Sequence, residues 1–218
     1  ANDGAGGFGD ITATAGLGYR GHSSSAMFFD YDRDGLVDLL LSNVGVYTRD
    51  RPVANSTGPA YYPGRRRAFS LHLKPELSEP SLLYRNLGDN RFADVSRAVG
   101  LVDSSWSGDA AFFDANEDGW PDLYVLNMQG HDQYYENEGG RRFVRKSREV
   151  FPKTPWGSMG IQVFDWDNDG RFDLYITDMH SDMSEPVAWD REKEKSAVSY
   201  NEDFLQSGGL SIFGNAFY

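Results

Sequence analysis

Short apolar runs alternate along this chain with clusters of Gly, Asp and Asn, and none of the runs is long enough to predict a long amphipathic helix. The clearest pattern lies between Phe92 and Asn137. It predicts four strands, near Phe92–Ser96, Asp109–Phe113, Asp122–Asn127 and Gln133–Asn137, separated by Gly- and Asp/Asn-rich hairpin turns. One apolar pair carries an unusual insert: "FFDYDRDGLVDLLLSN", from Phe28, places four aspartates between two hydrophobic segments.

That arrangement returns twice, as "FFDANEDGWPDLYVLN" from Phe112 and "VFDWDNDGRFDLYITD" from Val163. Its register extends upstream, because Phe8, Phe92 and Phe143 each stand 22 residues before the first Asp of their loop. The chain therefore reads as three repeats: about 8–91 with an insertion at 44–81, about 92–142, and about 143–218 with an insertion at 181–211. The first insertion is rich in Pro, Gly and Arg and reads as a surface excursion. The second contains "DREKEKS", which predicts a short exposed helix. Four strands per repeat at constant register predict an all-β fold of β-propeller blades; a β-sandwich would not explain the register. Three blades fall short of the roughly four to eight of a closed ring. Residues 1–218 are therefore expected to be a partial propeller, completed by a further segment or another chain. "IFGNAFY" reads as the start of another strand, with Tyr218 in the place of Tyr84 and Tyr135.

Composition narrows the function. A formal charge of −12 argues against a general nucleic-acid binder, which needs a basic face. No apolar run reaches the length of a membrane-spanning helix. With no cysteine, disulfides, thiolate metal sites and a Cys nucleophile are excluded. The opening "ANDGAGGFGD" has neither an initiator Met nor a signal peptide, as expected of a processed chain or a fragment.

The acidic loops carry the chemistry. Positions 1, 3, 5 and 9 supply side-chain oxygens: Asp30, Asp32, Asp34 and Asp38; Asp114, Asn116, Asp118 and Asp122; Asp165, Asp167, Asp169 and Asp173. Position 7, Leu36, Trp120 or Arg171, offers a backbone carbonyl, and Gly35, Gly119 or Gly170 at position 6 suits a sharp turn. A set of carboxylates plus a carbonyl suits Ca²⁺ better than Mg²⁺, which holds its waters, or Zn²⁺, which favours His and Cys. An EF-hand would need Glu at position 12, where Leu41, Val125 and Ile176 stand. About three Ca²⁺ sites are expected, and the alternative is a set of metal-free Asp/Gly turns.

The three loops with their flanks, above all "LYRNLGDNRFADVSRAVGL" followed by "FFDANEDGWPDLYVLN", resemble FG-GAP/VCBS-type repeats, the calcium-bearing blades also found in integrin α-subunit propellers. They look most similar to the cartilage-acidic-protein-like branch of exported proteins. The resemblance implies an extracellular, cell-surface or periplasmic propeller that holds Ca²⁺ and serves adhesion or assembly. The expected function is a non-catalytic module with a protein or glycan partner. Tyr61, Tyr62, Arg65, Arg66 and Arg67 are candidates for a contact patch. The alternative is a catalytic propeller, lyase or hydrolase, acting on polysaccharide with His131 and His180 on one rim. Asn55-Ser56-Thr57 matches an N-glycosylation acceptor.

Overall fold

The computed structural model describes residues 1–46, 53–55, 57–61, 78–103, 105–128, 130–179, 211–212 and 214–218. In chain order the strands are β1 (Ser23–Phe29), β2 (Asp38–Asn43), β3 (Val53–Asn55), β4 (Gly58–Tyr61), β5 (Leu82–Asn86), β6 (Phe92–Asp94), β7 (Ser107–Phe113), β8 (Asp122–Asn127), β9 (Gln133–Asn137), β10 (Phe143–Arg145), β11 (Thr154–Pro155), β12 (Ser158–Phe164), β13 (Asp173–Asp178), β14 (Ser211–Ile212) and β15 (Ala216–Phe217). Only two four-residue helical turns interrupt them among the described residues, Thr12–Ala15 and Ser147–Val150. The fold is all-β, as the sequence pattern predicts. The "DREKEKS" segment, Tyr62, Arg65, Arg66, Arg67 and His180 lie outside the described residues.

Three antiparallel sheets carry the architecture. Sheet I is ordered β1-β2-β5-β6, sheet II is the meander β7-β8-β9-β10, and sheet III is β12-β13-β15. A hairpin, β3-β4, and a parallel pair, β11-β14, stand outside them. The first strands of the sheets lie side by side, β1 against β7 and β7 against β12. Between the first two, Ser25 Oγ donates to Asp109 Oδ1 at 2.9 Å. This is the stacking of propeller-like blades, and the described sheets do not close a ring. Strands β8 and β9 fall where the sequence pattern puts them. Strand β7 begins two residues earlier than expected, with a register shift between Ser107 and Ala110. Strand β6 stops at Asp94, because Ser96 turns back and its N–H donates to Asp94 Oδ1.

Side-chain alternation explains the core. Strand β8 is buried along its whole length, since alternate residues serve two interfaces. Leu123 and Val125 join Phe29, Tyr31, Leu40 and Leu83 of sheet I, together with Val99 and Leu101. Tyr124 and Leu126 join Phe113, Tyr134, Phe151, Ile161, Leu174 and Ile176 on the side of sheet III. Polar joints cross the same interfaces. Ser81 and Ser107 each donate to Asp103 Oδ2 at 2.6 Å between sheets I and II. Between sheets II and III, Ser158 Oγ donates to Asp132 Oδ2 at 2.7 Å, and the Asp132 N–H donates to Thr154 Oγ1 at 3.2 Å. Burial pushes the Asp132 carboxyl up to about 8, against the hydrogen bonds from Asn127 N–H, Ser158 and Tyr124.

Candidate metal centre

All three acidic loops connect the first two strands of their sheets and share one internal hydrogen-bond set. The carboxylate at position 1 accepts two backbone N–H groups across the turn: Asp34 and Gly35 on Asp30, Asp118 and Gly119 on Asp114, Asp169 and Gly170 on Asp165, at 2.7–3.1 Å. The Asp at position 5 accepts the N–H of position 7 at 2.9 Å in each loop. The Asp at position 9 accepts the N–H of position 2 from Tyr31, Ala115 or Trp166. The turn demands positive φ at position 6, where Gly35, Gly119 and Gly170 all lie at 88–89°, a region costly for a residue with a Cβ. Position 4 is also left-handed, in Arg33, Glu117 and Asn168.

This geometry gathers carboxylates in two of the loops. Asp30, Asp32 and Asp38 each bring an oxygen within 4.8 Å of the others, and so do Asp165, Asp167 and Asp173. Asp34 and Asp169 stand outside these trios. The second loop has Asn116 at position 3, whose Nδ2 donates to Asp118 Oδ2 at 3.1 Å. It thus holds fewer carboxylates than its neighbours.

The donor set of the first loop fits a hard cation. Oδ1 of Asp32 is buried and has no hydrogen-bond partner among the described residues. An acceptor left in that state is costly, and a cation held by Asp30, Asp32 and Asp38 would satisfy it. Burial pushes Asp38 up to about 6, against N–H donation from Asn86 and Tyr31, with repulsion from Asp32 and Asp34 adding to the shift. Asp32 is raised too, by burial first, with Arg85 opposing.

Four residues that the loop pattern does not show complete the site. Asn86 donates its N–H to Asp38 Oδ1 at 2.7 Å and its Nδ2 to Val37 O at 2.9 Å. Asn137 does the same for the second loop, to Asp122 Oδ1 at 2.8 Å and Pro121 O at 3.0 Å, and also reaches Tyr31 O at 2.9 Å. Tyr134 donates its hydroxyl to Asp122 Oδ2 at 2.7 Å. The shared Asn of "LLYRN" and "QYYEN" is the sequence signal for this brace. Arg85 is the fourth: its Nε lies 2.8 Å from Asp32 Oδ2 and its Nη2 3.0 Å from Asp34 Oδ2. The register counterpart of Arg85 in sheet II is Glu136, paired with Lys146 at 2.6 Å.

The loops also touch one another. Arg33 of the first donates to the carbonyl of Gly119 in the second and lies 5.7 Å from the centre of the Trp120 ring. Arg171 of the third stands 3.6 Å from Glu117 of the second. A Cβ on Gly140 would come within 2.9 Å of Asp32 Cα, so the β9–β10 turn of sheet II packs closely on the first loop.

His131, a rim histidine of the catalytic alternative, is partly buried. Its ring packs edge-on to Trp156, with centroids 5.9 Å apart. Burial, with Arg148 adding, draws its pKa down to about 4, so it is neutral at physiological pH.

Among known families, the model described as an FG-GAP-like repeat matches residues 114–176. That span runs from the first Asp of the second loop through the third loop into β13, and it supports the FG-GAP repeat family. No curated protein matches the chain.

Because Arg85 already neutralises part of the first cluster, Arg85→Gln is expected to tighten cation binding there. Arg85 is about two-fifths exposed, so screening limits the gain to within about tenfold, or ~1.4 kcal/mol. Calcium titration calorimetry on both proteins measures it, and weaker binding by the variant would contradict it.

Proposed function

We propose that this chain is a calcium-stabilised β-propeller module that works outside the cytoplasm and binds a protein or glycan partner. The repeat match and the blade-like sheets support an extracellular-type interaction module. The likeness of "LYRNLGDNRFADVSRAVGL" to cartilage-acidic-protein-like exported proteins points the same way. No helix among the described residues is long and apolar enough to cross a membrane.

The observation that carries the calcium reading is the buried, unpartnered Oδ1 of Asp32 inside a trio of carboxylates, in a loop repeated in register. Asp30, Asp32 and Asp38 would hold the ion in the first loop, Asp165, Asp167 and Asp173 in the third. The second loop, with Asp114, Asn116, Asp118 and Asp122, would hold one with less charge. The carbonyls of Leu36, Trp120 and Arg171 are the proposed seventh-position ligands. Bound Ca²⁺ supplies positive charge that relieves repulsion within each loop and ties two strands together; it does no covalent chemistry. Nine of the chain's 33 acids are proposed ligands, and three such ions would bring the formal charge from −12 to −6.

Thermal melting in excess Ca²⁺, in Mg²⁺ and in chelator tests this. At a hundredfold excess over Kd each occupied site adds about 2.7 kcal/mol, so the melting temperature is expected to be several degrees higher in Ca²⁺ than in either other condition. Identical melting in all three would sink the calcium reading.

A further inference from the structure

We infer that the outer rim of the seam between sheets I and II is a binding strip for an acidic polysaccharide, whose carboxylates or sulfates Arg97, Arg141 and Arg145 would hold. The inference names the kind of glycan taken by the module proposed above, so it rests on the glycan arm of that reading. It does not rest on bound calcium.

The argument comes from how β9 and β10 sort their charges. Side chains alternate between the two faces of such a strand pair. On the face that carries Tyr134 the cations are matched. Arg142 Nη2 lies 2.6 Å from Glu138 Oε2, and Lys146 Nζ lies 2.6 Å from Glu136 Oε1. On the other face Tyr135 and Phe143 enter the core shared with Phe29, Leu40 and Leu83. Arg145 stands opposite Tyr135 in the ladder and is exposed. Burial raises the pKa of the Tyr135 hydroxyl, Asp103 adds to the rise and Arg145 opposes it, which puts the guanidinium on this second face. Arg141, in the turn that leads into β10, is exposed as well, and so is Arg97.

Arg97 opens a turn that lies along the outer edge of β10. The Phe143 N–H donates to Val99 O at 2.7 Å, and a Cβ on Gly100 would come within 3.5 Å of Arg142 Cγ. Among the described residues none of the three arginines makes an ion pair or a side-chain hydrogen bond. The acids on this side are already engaged. Asp103 is buried and takes the hydroxyls of Ser81, Ser105 and Ser107. Asp94 takes the N–H and hydroxyl of Ser96. The blade framework does not require these cations either, because Asn90 and Asp94 hold the places of Arg141 and Arg145 in sheet I. Arginines gathered without a counter-charge repel one another, and in a chain of net charge −12 such a strip is set apart from the rest of the surface.

The chemistry of the strip selects its partner. Guanidinium forks match carboxylates and sulfates with two parallel hydrogen bonds. The ground beside them is small and aliphatic: Ala98 is exposed, and Val102, whose carbonyl receives the Tyr135 hydroxyl at 3.2 Å, is 66% exposed. Such ground suits the C–H faces of sugars and offers no aromatic wedge to a bilayer. A linear chain with anions at intervals can follow a narrow strip, whereas a membrane surface or a nucleic acid would also meet the acidic remainder of the molecule.

Titration calorimetry of the whole chain in Ca²⁺ at low salt tests it. The probes are heparin and galacturonate hexasaccharides, a neutral hexasaccharide, a poly-glutamate peptide and anionic lipid vesicles. The acidic hexasaccharides are expected to bind, with affinity falling as salt rises, and the neutral one is not. Arg97→Gln, Arg141→Gln and Arg145→Gln are each expected to weaken binding about fivefold, and the triple variant at least ~30-fold. Arg142→Gln removes the same charge from the other face and is expected to change affinity less than ~2-fold. Melting of each protein in Ca²⁺ and in chelator accompanies the titrations. If a chain that still melts higher in Ca²⁺ binds neither acidic hexasaccharide, the inference is overturned and the calcium-stabilised module stands. Binding of the neutral hexasaccharide alone would keep a glycan partner and overturn the acidic one. An equal loss in Arg142→Gln, or tighter binding of poly-glutamate or vesicles, would overturn the inference as well.

Discussion

Replacing Asp122 with Ala is expected to cost about 3–5 kcal/mol, the largest loss of any single acid in the loops. Asp122 is fully buried and receives three backbone or side-chain donors. These are the N–H of Ala115, the N–H of Asn137 and the hydroxyl of Tyr134, at 3.0, 2.8 and 2.7 Å. Truncation leaves all three without this acceptor, and those of Asn137 and Tyr134 are buried. Each orphaned group costs roughly 1–3 kcal/mol, offset by the removal of a carboxyl that burial disfavours in its charged form. Asp122→Asn keeps one acceptor oxygen and should fall between Ala and the wild type. Urea unfolding in Ca²⁺ and in chelator measures both. A similar loss in chelator is expected, since the latch between β8 and β9 exists without an ion. A loss of less than ~1 kcal/mol in chelator would mean that Asp122 matters only as a ligand.

The second large effect is a contrast. Tyr124→Ala should cost about 3–5 kcal/mol and Tyr175→Ala less than ~1, both measured by urea unfolding. The two tyrosines hold the same place in their loops' following strands. Tyr124 is fully buried and Tyr175 is 39% exposed. The first truncation opens a cavity between sheets II and III and deprives Asp132 of a donor at 3.1 Å. The second trims one wall of an exposed aromatic cluster. Equal losses would show that sheet III is covered in the isolated chain.

Those two tyrosines also show what a sequence can and cannot carry. Strand positions were legible because alternation and turn chemistry are local: Asp122–Asn127 and Gln133–Asn137 follow from their own residues and flanking Gly and Asp. Loop conformation was legible because each hydrogen bond within it spans a few residues. Burial of Tyr124 against exposure of Tyr175 was not, since "DLYVLN" and "DLYITD" differ little and the outcome depends on which sheet lies beyond. Arg85 was hidden for the same reason. It is 51 residues from Asp34, and nothing in "LLYRN" reveals that its guanidinium enters the first cluster. Asn137, reaching Tyr31 across 106 residues, belongs with it.

The polar joints between sheets have a consequence for how repeats of such similar text find their proper neighbours. Ser81 and Asp132 hold one register position, and Asp103 and Thr154 hold another, so the acid sits on opposite sides of the two junctions. Seating sheet II beside a second copy of itself would bring Asp132 against Asp103, two carboxylates in a dry seam. Seating sheet III directly on sheet I would bring Ser81 against Thr154, with no acid to receive their hydroxyls. The joints therefore work as an address: they record which repeat belongs next to which and penalise a swapped order, where the hydrophobic faces alone would accept almost any.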